Sequence, residues 1–468
     1  MLLKYFYDQN LAHASYMVGC QRTGEAIIVD PARDITPYLE TAVKEGMRLV
    51  GAVDTHIHAD YVSGARELAE RTDATLYLSD EGDENWKYLF ADQYNHKPLK
   101  DGDTFMVGNI KFEAMHTPGH TPEHMAYIIT DMGGGADRPM GIFTGDFVFV
   151  GSVGRPDLLE KAAGVANTAA AGAMQMFASL NRFKELPDYM QVWPGHGAGS
   201  ACGKGLGAIP SSTVGYEKLF NPMLGYDDIE EFVSALLDGQ PEPPTYFAVM
   251  KRVNKEGPAV LGGFTMPQEM KTAVLPQIIN DGAMIIDTNT LDTFAKAHVP
   301  GTINIPTGSL AAWAGWLVDY NKPVYLVAAR DEVETAVKIL AEIGIDEVAG
   351  YFDADSVQAA GLMTESYETG TAVELAEQIK KGEVTLVDVR NQAEWNEGHL
   401  PNAKHIMLGT LSKRAGEVVN GHPIVVQCRS GARSAIGASI LQAHGAKRVI
   451  NLTGGYIDWT AAGLPIEP

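Results

Sequence analysis

The sequence predicts a chain of several α/β domains, and three observations lead to that fold class. The 468 residues exceed what a single hydrophobic core usually takes up, so two to four domains are expected. Over residues 1–240, short β-branched runs such as AIIVD and KFEAMHT alternate with helical stretches, and several of these runs end in His or Asp. From about residue 260 onward, a segment of about 100 residues occurs twice.

Charge and composition restrict the class of partner. The chain has 36 Lys and Arg against 59 Asp and Glu, a net charge of −23, which argues against nucleic acid or an anionic membrane as a partner. It contains no run of eighteen apolar residues, and the opening MLLKYFYDQN lacks the features of a signal peptide. Three cysteines, Cys20, Cys202 and Cys428, are too few for a disulfide framework, so a reducing cytoplasm is the expected location and Cys20 is expected to be structural.

The first predicted domain spans residues 1–258 and contains four blocks rich in metal-binding residue types. The blocks are THIHADY, TPGHTPEH, FTGDFVFVGSVGRPDL and WPGHGAGS, and each lies where a strand passes into a loop. In this order they resemble the metallo-β-lactamase superfamily, and within it the glyoxalase II-like enzymes and persulfide dioxygenases. The resemblance implies an αββα sandwich. The proline-rich GQPEPPTYF is interpreted as the exit from this domain, and KRVNKEGPAVLGG as the connector that follows.

The first block departs from the two-metal pattern H-x-H-x-D-H at its last position, which is Tyr61. A phenol, with a pKa of about 10, is a poor ligand for a divalent metal at neutral pH, so one metal is predicted. The resemblance places its ligands at His56, His120 and Asp146. Two imidazoles and one carboxylate form the facial triad of non-haem Fe(II) oxygenases, so one Fe(II) per chain is predicted.

Further residues near this site have open roles. The resemblance implies that His58, Asp60, Tyr61 and His196 support the ligands or are ligands themselves, whereas His116 and His124 are expected to be structural. If His58 coordinates beside the triad, the set would suit a zinc hydrolase instead. Arg155 either lies beside a thiol substrate or forms a turn-stabilising pair with Asp157, and Cys202 is either a packed thiol or a group that contacts a persulfide.

The third predicted domain, residues 366–468, is defined by the stretch VVQCRSGARS. An apolar strand runs into Cys428, then into a short loop and the start of a helix, where inward N–H groups with Arg429 and Arg433 would stabilise a thiolate. The stretch resembles the rhodanese family, as do LVDVR and EGHLPNA, and its C-x4-R spacing is one residue shorter than the C-x5-R of related phosphatases. The resemblance implies sulfur transfer on Cys428, with Ser430, Gly431 and Ala432 around the substrate and with Asp388 and Arg390 bracing the fold.

The middle domain, predicted over residues 259–365, is the other copy of the repeat. Asp287 matches Asp388, and the motif at His298 matches the motif at His399. Where the later copy has its cysteine, this one has Ala328, so it lacks a sulfur acceptor. We therefore predict an inactive rhodanese-like domain.

The complete order resembles the fused persulfide dioxygenase–sulfurtransferases of bacterial sulfide detoxification. That resemblance implies a thiol persulfide and O2 as substrates, sulfite and thiosulfate as the species exchanged, and a homo-oligomer, either a dimer or a tetramer. The carrier thiol stays open among glutathione, coenzyme A, bacillithiol and polysulfide, and a local basic patch is predicted because all of these are anionic. The alternatives are a zinc thioester hydrolase fused to a sulfurtransferase, and a non-enzymatic sulfur carrier or redox sensor.

Overall fold

The computed structural model describes residues 1–158, 160 and 168–468 of the chain, and these divide into two compact units. The first unit comprises Met1–Gly263 with Ala341–Gly344, and the second comprises Phe264–Leu340 with Ile345–Pro468. The domain boundaries predicted after residues 258 and 365 stay predictions, because this division separates compact units rather than individual domains.

The first unit is built on two six-stranded sheets. One has the order β1-β2-β3-β4-β5-β6, antiparallel from β1 to β3 and parallel from β3 to β6. Its strands are Leu2–Asp8, His13–Cys20, Glu25–Val29, Arg48–Val53, Thr75–Ser79 and His96–Leu99. The other has the order β14-β13-β10-β9-β8-β7. In chain order its strands are Thr104–Val107, Ile110–His116, Met125–Asp131, Gly141–Gly145, Gln191–Pro194 and Ser212–Thr213, while β11 (Val148–Phe149) and β12 (Ser152–Val153) pair separately.

Helices cover the outer faces of both sheets. In the described part of this unit they are α1 Thr36–Glu45, α2 Ala65–Thr72, α3 Thr168–Lys184, α4 Val214–Phe220, α5 Ile229–Leu237 and α6 Phe247–Glu256. One buried cluster joins the inner faces of the two sheets, with Ile27 from one and Phe112 from the other. Two further clusters join each sheet to its own helices. The predicted αββα sandwich is thereby confirmed.

The segment after α6 is hydrogen-bonded to α2. Arg66 donates from Nη1 to the carbonyls of Gly257 and Pro258, at 3.1 and 2.9 Å. Glu67 accepts from the N–H groups of Leu261 and Gly262, at 2.7 and 2.9 Å. We call these four bonds the α2 clamp.

The second unit contains two parallel sheets with matching strand orders. The first sheet has the order β16-β15-β17-β18, and the second has β21-β20-β22-β23 with β19 added beside β23. The strands β15 to β23 are Met284–Asp287, Ile303–Asn304, Val324–Ala328, Val348–Asp353, Glu368–Gly370, Thr385–Asp388, Lys404–His405, Ile424–Gln427 and Val449–Leu452. The repeat in the sequence is therefore a repeat in the fold, as the rhodanese-like prediction requires.

Ten helices accompany these two sheets and complete the repeats. They are α7 Leu275–Asn280, α8 Leu291–Lys296, α9 Leu310–Leu317, α10 Val333–Glu342, α11 Ala354–Ala359, α12 Ala372–Lys380, α13 Gln392–Asn396, α14 Leu408–Arg414, α15 Ala432–Ala443 and α16 Gly455–Ala461. Both α12 and α13 begin with a capping box, closed by Glu374 and Glu394 respectively.

The two repeats share one hydrophobic core. Phe294 and Trp316 of the earlier copy lie in the same buried cluster as Leu411 and Ile436 of the later copy. Ser439, on α15, accepts a hydrogen bond from the N–H of Asn304 at 3.0 Å. The earlier copy therefore packs directly against α15, the helix that follows the Cys428 loop. Among the helices of the described residues, none is long and apolar enough to cross a bilayer.

Candidate metal centre and cysteine loop

Four strands of the first unit end at the same place and deliver the candidate ligands there. His56 follows β4, His120 follows β8, Asp146 follows β10 and His196 follows β13. Gly145 makes the turn that aims Asp146, since its φ of 47° is costly for any residue with a Cβ, and a Cβ there would also overlap Thr55. The sequence blocks therefore converge because their strands end side by side.

The donor atoms of His56, His120 and Asp146 all lie within 4.8 Å of one another, and all three residues are buried. Asp146 Oδ2 is 3.5 Å from His120 Nε2 and 3.9 Å from His56 Nε2. Within the part of the chain that the structure describes, His56 Nε2 and both oxygens of Asp146 are buried without a hydrogen-bond partner. Such atoms cost free energy unless a cation satisfies them, so this donor set fits a divalent metal.

Neighbouring groups fix which nitrogen each ligand histidine presents. The Thr55 hydroxyl donates to Asp30 at 3.0 Å, so its oxygen accepts the Nδ1 proton of His56, also at 3.0 Å. His120 donates from Nδ1 to the carbonyl of Arg155 at 2.9 Å. Both Nε2 atoms are then unprotonated and face Asp146, as metal ligation requires. Burial also lowers the pKa of both imidazoles, which keeps them neutral.

His196 lies on the other side of Asp146. Its Nδ1 donates to the carbonyl of Ala12, and its Nε2 is 3.1 Å from Asp60 Oδ2 and 3.4 Å from Asp146 Oδ1. Burial opposes protonation of this ring, but the two carboxylates raise its pKa to about 10. The structure thus brings His196 and Asp60 next to the triad, with His196 Nε2 between the Asp60 and Asp146 carboxylates.

His58 and Tyr61 lie beside the triad and contact Asp30, and His58 Nδ1 is buried without a hydrogen-bond partner among the described residues. His58 Nε2 is 3.1 Å from Asp30 Oδ1, and its donor atoms group with those of Asp30 and Asp54. The Tyr61 hydroxyl donates to the carbonyl of Asp30 at 3.4 Å, and its ring contacts that of His58 at a centroid distance of 4.4 Å with the planes tilted by 35°. Burial raises the pKa of the phenol well above its usual value, so Tyr61 stays protonated.

The Arg155 side chain is fully buried and forms a two-pronged ion pair with Asp157, at 2.7 Å for each bond. It also donates to the carbonyl of Pro241 at 2.6 Å. This geometry favours the turn-stabilising alternative, while the carbonyl of the same residue orients His120. Cys202 has its sulfur within 4.8 Å of donor atoms of Asp60 and His196. Burial, with the nearby Asp60 and Asp146 carboxylates, raises the pKa of this thiol well above its usual value.

Of the two histidines expected to be structural, His116 bonds the carbonyl of Pro122 at 2.8 Å. His124 does more. Its Nδ1 lies 2.8 Å from the Thr117 hydroxyl, and its Nε2 accepts the backbone N–H of Asp146 at 3.1 Å. It therefore positions Asp146, a role that the spacing of the motif did not indicate.

A cavity of about 610 Å³ opens onto His120. Its basic side chains come from α6 and its aromatic wall from Trp86, whose ring centroid is 3.6 Å from Lys251 Nζ. The basic lining residues are Lys251, Arg252 and Lys255. The interpretation of KRVNKEGPAVLGG as a connector is therefore wrong for its first six residues, because Lys251–Glu256 are the end of α6.

Asn254, on the same helix, was missed by the sequence analysis. Its Nδ2 donates to the carbonyls of His58 and Tyr61, at 2.8 and 2.7 Å, and its Oδ1 accepts from the N–H of Ser63 at 2.9 Å. The side chain is buried. One amide thus fixes the loop that carries His58 and Asp60.

In the second unit, Cys428 follows β22 and is buried. Its sulfur accepts from the N–H of Gly431 at 3.1 Å, and the Ser434 hydroxyl oxygen lies 3.4 Å from it but donates its one proton to Asn451 Oδ1 at 2.6 Å. Gly431 has a φ of 100°, which a glycine adopts readily. Arg429, Ser430 and Ala432 are exposed. The loop therefore closes around the sulfur and offers the Gly431 N–H to a thiolate.

Strand register relates this loop to its counterpart. Asp388 pairs with Gln427 and Asp287 pairs with Val327, so Ala328 stands where Cys428 does. Asp388 is held by Arg390, which donates to it at 2.7 Å from Nη2, whereas Asp287 bonds the side chain of Asn289. The bracing role predicted for Asp388 and Arg390 agrees with this geometry.

Comparisons with known proteins match the N-terminal and C-terminal parts of the chain to different families. The protein-family model described as "Metallo-beta-lactamase superfamily" matches residues 9–196, and the family model described as "Rhodanese-like domain" matches residues 371–462. A crystal structure of a metallo-beta-lactamase from Staphylococcus aureus is 41% identical, with a TM-score of 0.68 over 75% of this chain and 98% of that one. The chain belongs to the metallo-β-lactamase superfamily. It carries a C-terminal rhodanese-like domain, so the predicted fusion is confirmed.

Two curated relatives illustrate the range within this superfamily. The mitochondrial persulfide dioxygenase ETHE1 of Bos taurus is 26% identical over 241 residues, which are 50% of this chain and 80% of that protein. A hydroxyacylglutathione hydrolase of Gloeobacter violaceus is 34% identical over 171 residues, 36% of this chain and 58% of that protein. The metallo-β-lactamase fold thus places the His56, His120 and Asp146 cluster in a metal-dependent superfamily.

Proposed function

We propose that the first unit is a ferrous persulfide dioxygenase and that the C-terminal repeat is a sulfurtransferase. The first reaction is R–S–SH + O2 + H2O → R–SH + H2SO3, in which the outer sulfur is oxidised and O2 is reduced. The sulfite then exchanges sulfur with Cys428, forming or consuming thiosulfate. The partners in this proposal are small molecules, together with further copies of the chain in a dimer or tetramer.

The observation that carries the proposal is the donor set at Asp146. An unprotonated Nε2 on each of His56 and His120, and a carboxylate without a hydrogen-bond partner among the described residues, suit a single metal with open positions, as in non-haem Fe(II) oxygenases. A bound ferrous ion supplies the positions at which a sulfur anion and O2 can meet. Tyr61, protonated and bonded to Asp30, leaves the H-x-H-x-D-H pattern one ligand short of a second metal.

The protein's own contribution is binding and orientation. The cavity reaches His120, so a persulfide seated in it has its sulfur end near the triad. Lys251, Arg252 and Lys255 outnumber the acidic lining residues Asp83 and Glu256, so the cavity offers an anionic thiol a positive charge against the net charge of −23. His56, His120 and Asp146 are all buried, which limits water at the reacting sulfur.

At Cys428 the proposed step is a displacement at sulfur. A sulfite lone pair forms a bond to the outer sulfur of the Cys428 persulfide, and the bond from that sulfur to Sγ breaks. The electron pair stays on Sγ, where the Gly431 N–H stabilises the thiolate. The products are thiosulfate and the free thiolate, and the reverse direction loads Cys428 from thiosulfate.

The experiment is oxygen uptake by Fe(II)-loaded protein given glutathione persulfide, with sulfite and thiosulfate measured in the same sample. We expect oxygen consumption with thiosulfate as product, changing to sulfite in a Cys428→Ala variant. The Gloeobacter relative raises a zinc thioester hydrolase as the second candidate. No oxygen uptake, with zinc bound and a glutathione thioester cleaved, would establish that candidate in place of the first.

A further inference from the structure

The guanidinium of Arg433 is held by Glu394 rather than free at the Cys428 loop. Nη1 donates to Glu394 Oε2 and Nη2 donates to Oε1, both at 2.6 Å. The two side chains are only 22% and 17% exposed. Parallel, charge-assisted bonds of this kind are among the stronger side-chain contacts, and they use the end-on pair of N–H groups, one on each terminal nitrogen. The sequence analysis assigned Arg433 to catalysis and gave Glu394 no role.

Among the charged groups around the Cys428 loop, the Glu394–Arg433 pair has the largest effect on the local charge. Asp388 and Arg390 form a closed buried pair. Arg429 is exposed, and Asp458 on α16 lies beside Gly454. Within the described residues, the carboxylate of Glu394 is therefore the anion set directly against the cationic arginine of the C-x4-R loop.

We propose that Glu394 is a specificity-determining residue of the Cys428 site, which weakens the binding of oxyanions by neutralising the charge of Arg433 and using its end-on pair of N–H groups. The proposal rests on the sulfurtransferase function given above. A free guanidinium would bind a sulfite, thiosulfate or phosphate dianion in the same two-pronged way, because the geometry of those anions matches the fork. A site that must both bind and release sulfur oxyanions turns over faster when its affinity for them is lower.

The neutral variant Glu394→Gln tests the proposal with little change to the fold. Glutamine is a capping-box residue as good as glutamate, so it can keep the bond to Asn391 that starts α13. Glu374→Gln is the matched control, since Glu374 closes the equivalent capping box on α12 by bonding Thr371. Glu394→Ala, which removes the carboxylate and the cap together, separates charge from helix stability.

Two readouts are measured on the full-length protein. The first is the KM for thiosulfate in sulfur transfer to cyanide, with inhibition by inorganic phosphate in the same assay. The second is the pH midpoint for alkylation of Cys428 by iodoacetamide, followed by mass spectrometry of the Cys428 peptide. In both Glu394 variants we expect the KM and the phosphate inhibition constant to fall about three- to ten-fold. The alkylation midpoint should move to lower pH, and Glu374→Gln should change neither.

Opposite results would overturn the proposal. An unchanged or higher KM in Glu394→Gln, with an unmoved alkylation midpoint, would make the Glu394–Arg433 pair a structural brace alone. If the unmodified protein transfers no sulfur, the proposed function fails. The alkylation midpoint and direct phosphate binding then still decide whether Glu394 limits anion binding at the loop.

Discussion

Thr55 decides which nitrogen of His56 faces Asp146. Because its only proton goes to Asp30, its oxygen must accept from Nδ1 of His56, and the lone pair of Nε2 is left for a ligand. The motif THIHADY predicted a histidine at this position but not its tautomer. The tautomer depends on Asp30, which follows a different strand and accepts the hydrogen bond of the Thr55 hydroxyl.

Two substitutions at this site should weaken iron binding to different extents. Asp146→Ala removes a ligand and should abolish iron retention, whereas Thr55→Val keeps the shape but loses the tautomer control, and should weaken iron affinity about 10- to 100-fold. Iron per chain after dialysis against a chelator measures both. The exposed Asp137→Ala is the control. Full iron in Asp146→Ala would refute the ligand assignment.

The equivalent aspartates of the two repeats, Asp287 and Asp388, have different hydrogen-bond partners. Burial raises the pKa of Asp287 to about 6, from 3.8, with only Asn289 bonding to it, while Asp388 has Arg390. A carboxyl whose pKa is raised by folding destabilises the fold when ionised. The loss of folding stability is complete above the folded-state pKa of about 6, declines as the pH falls, and is absent below the usual pKa of 3.8.

Asp287→Asn should therefore stabilise the second unit by about 2–3 kcal/mol at pH 8, and by less at pH 5. Asp388→Asn should act with the opposite sign, costing about 3 kcal/mol, because it leaves Arg390 buried without its partner. Urea unfolding monitored by hydrogen exchange of β15 and β20 amides measures each. Equal losses in both variants at pH 8 would contradict this account.

Helix α6 is the element that sequence analysis placed wrongly. Its buried residues, Phe247, Met250 and Asn254, follow helical spacing, but the third is an amide where an apolar residue is expected. The preceding prolines favoured a linker. The alternation of strands and helices, the internal repeat and the Cys428 loop were predictable from local patterns, and the sandwich from a family resemblance. A helix whose buried face bonds the loop of His58 and Tyr61 was not, because it depends on contacts about 190 residues apart.

Replacing Asn254 should loosen the loop that carries His58 and Asp60. In Asn254→Asp the carboxylate faces the carbonyls of His58 and Tyr61, which can no longer receive a proton from it. We expect faster iron loss to a chelator, by about 10-fold or more, since supporting bonds hold ligand geometry. Asn304→Asp is the control, because Asn304 also donates to two backbone carbonyls. Iron loss at the unmodified rate would rule out this role.

At the scale of the whole molecule, the cysteine-free copy of the repeat shares a hydrophobic core with the copy that carries Cys428. Gly409, on α14, lies so close to the indole of Trp316 that an added Cβ would overlap it. The repeat pattern predicted two similar folds. It could not predict that they share one core, because interface residues and internal core residues look alike in a sequence.

Gly409→Ala should accordingly destabilise the second unit by about 1–3 kcal/mol through overlap with Trp316. In a Trp316→Ala background the same change should cost much less, since the space is then open. Hydrogen exchange of α14 and α15 amides in the four variants gives the coupling energy. Additive effects of the two substitutions would mean that the repeats do not communicate through this contact.

The α2 clamp has a consequence for how the chain can be cut. Proteases need a stretch of backbone that can leave its hydrogen bonds, and residues 257–262 have four of theirs held by Arg66 and Glu67. A segment that ends one predicted domain should therefore resist thermolysin, although its composition is that of a linker. Removing the clamp with the double substitution Arg66→Ala and Glu67→Ala should turn it into the preferred thermolysin nick site, visible as a new fragment ending near residue 260.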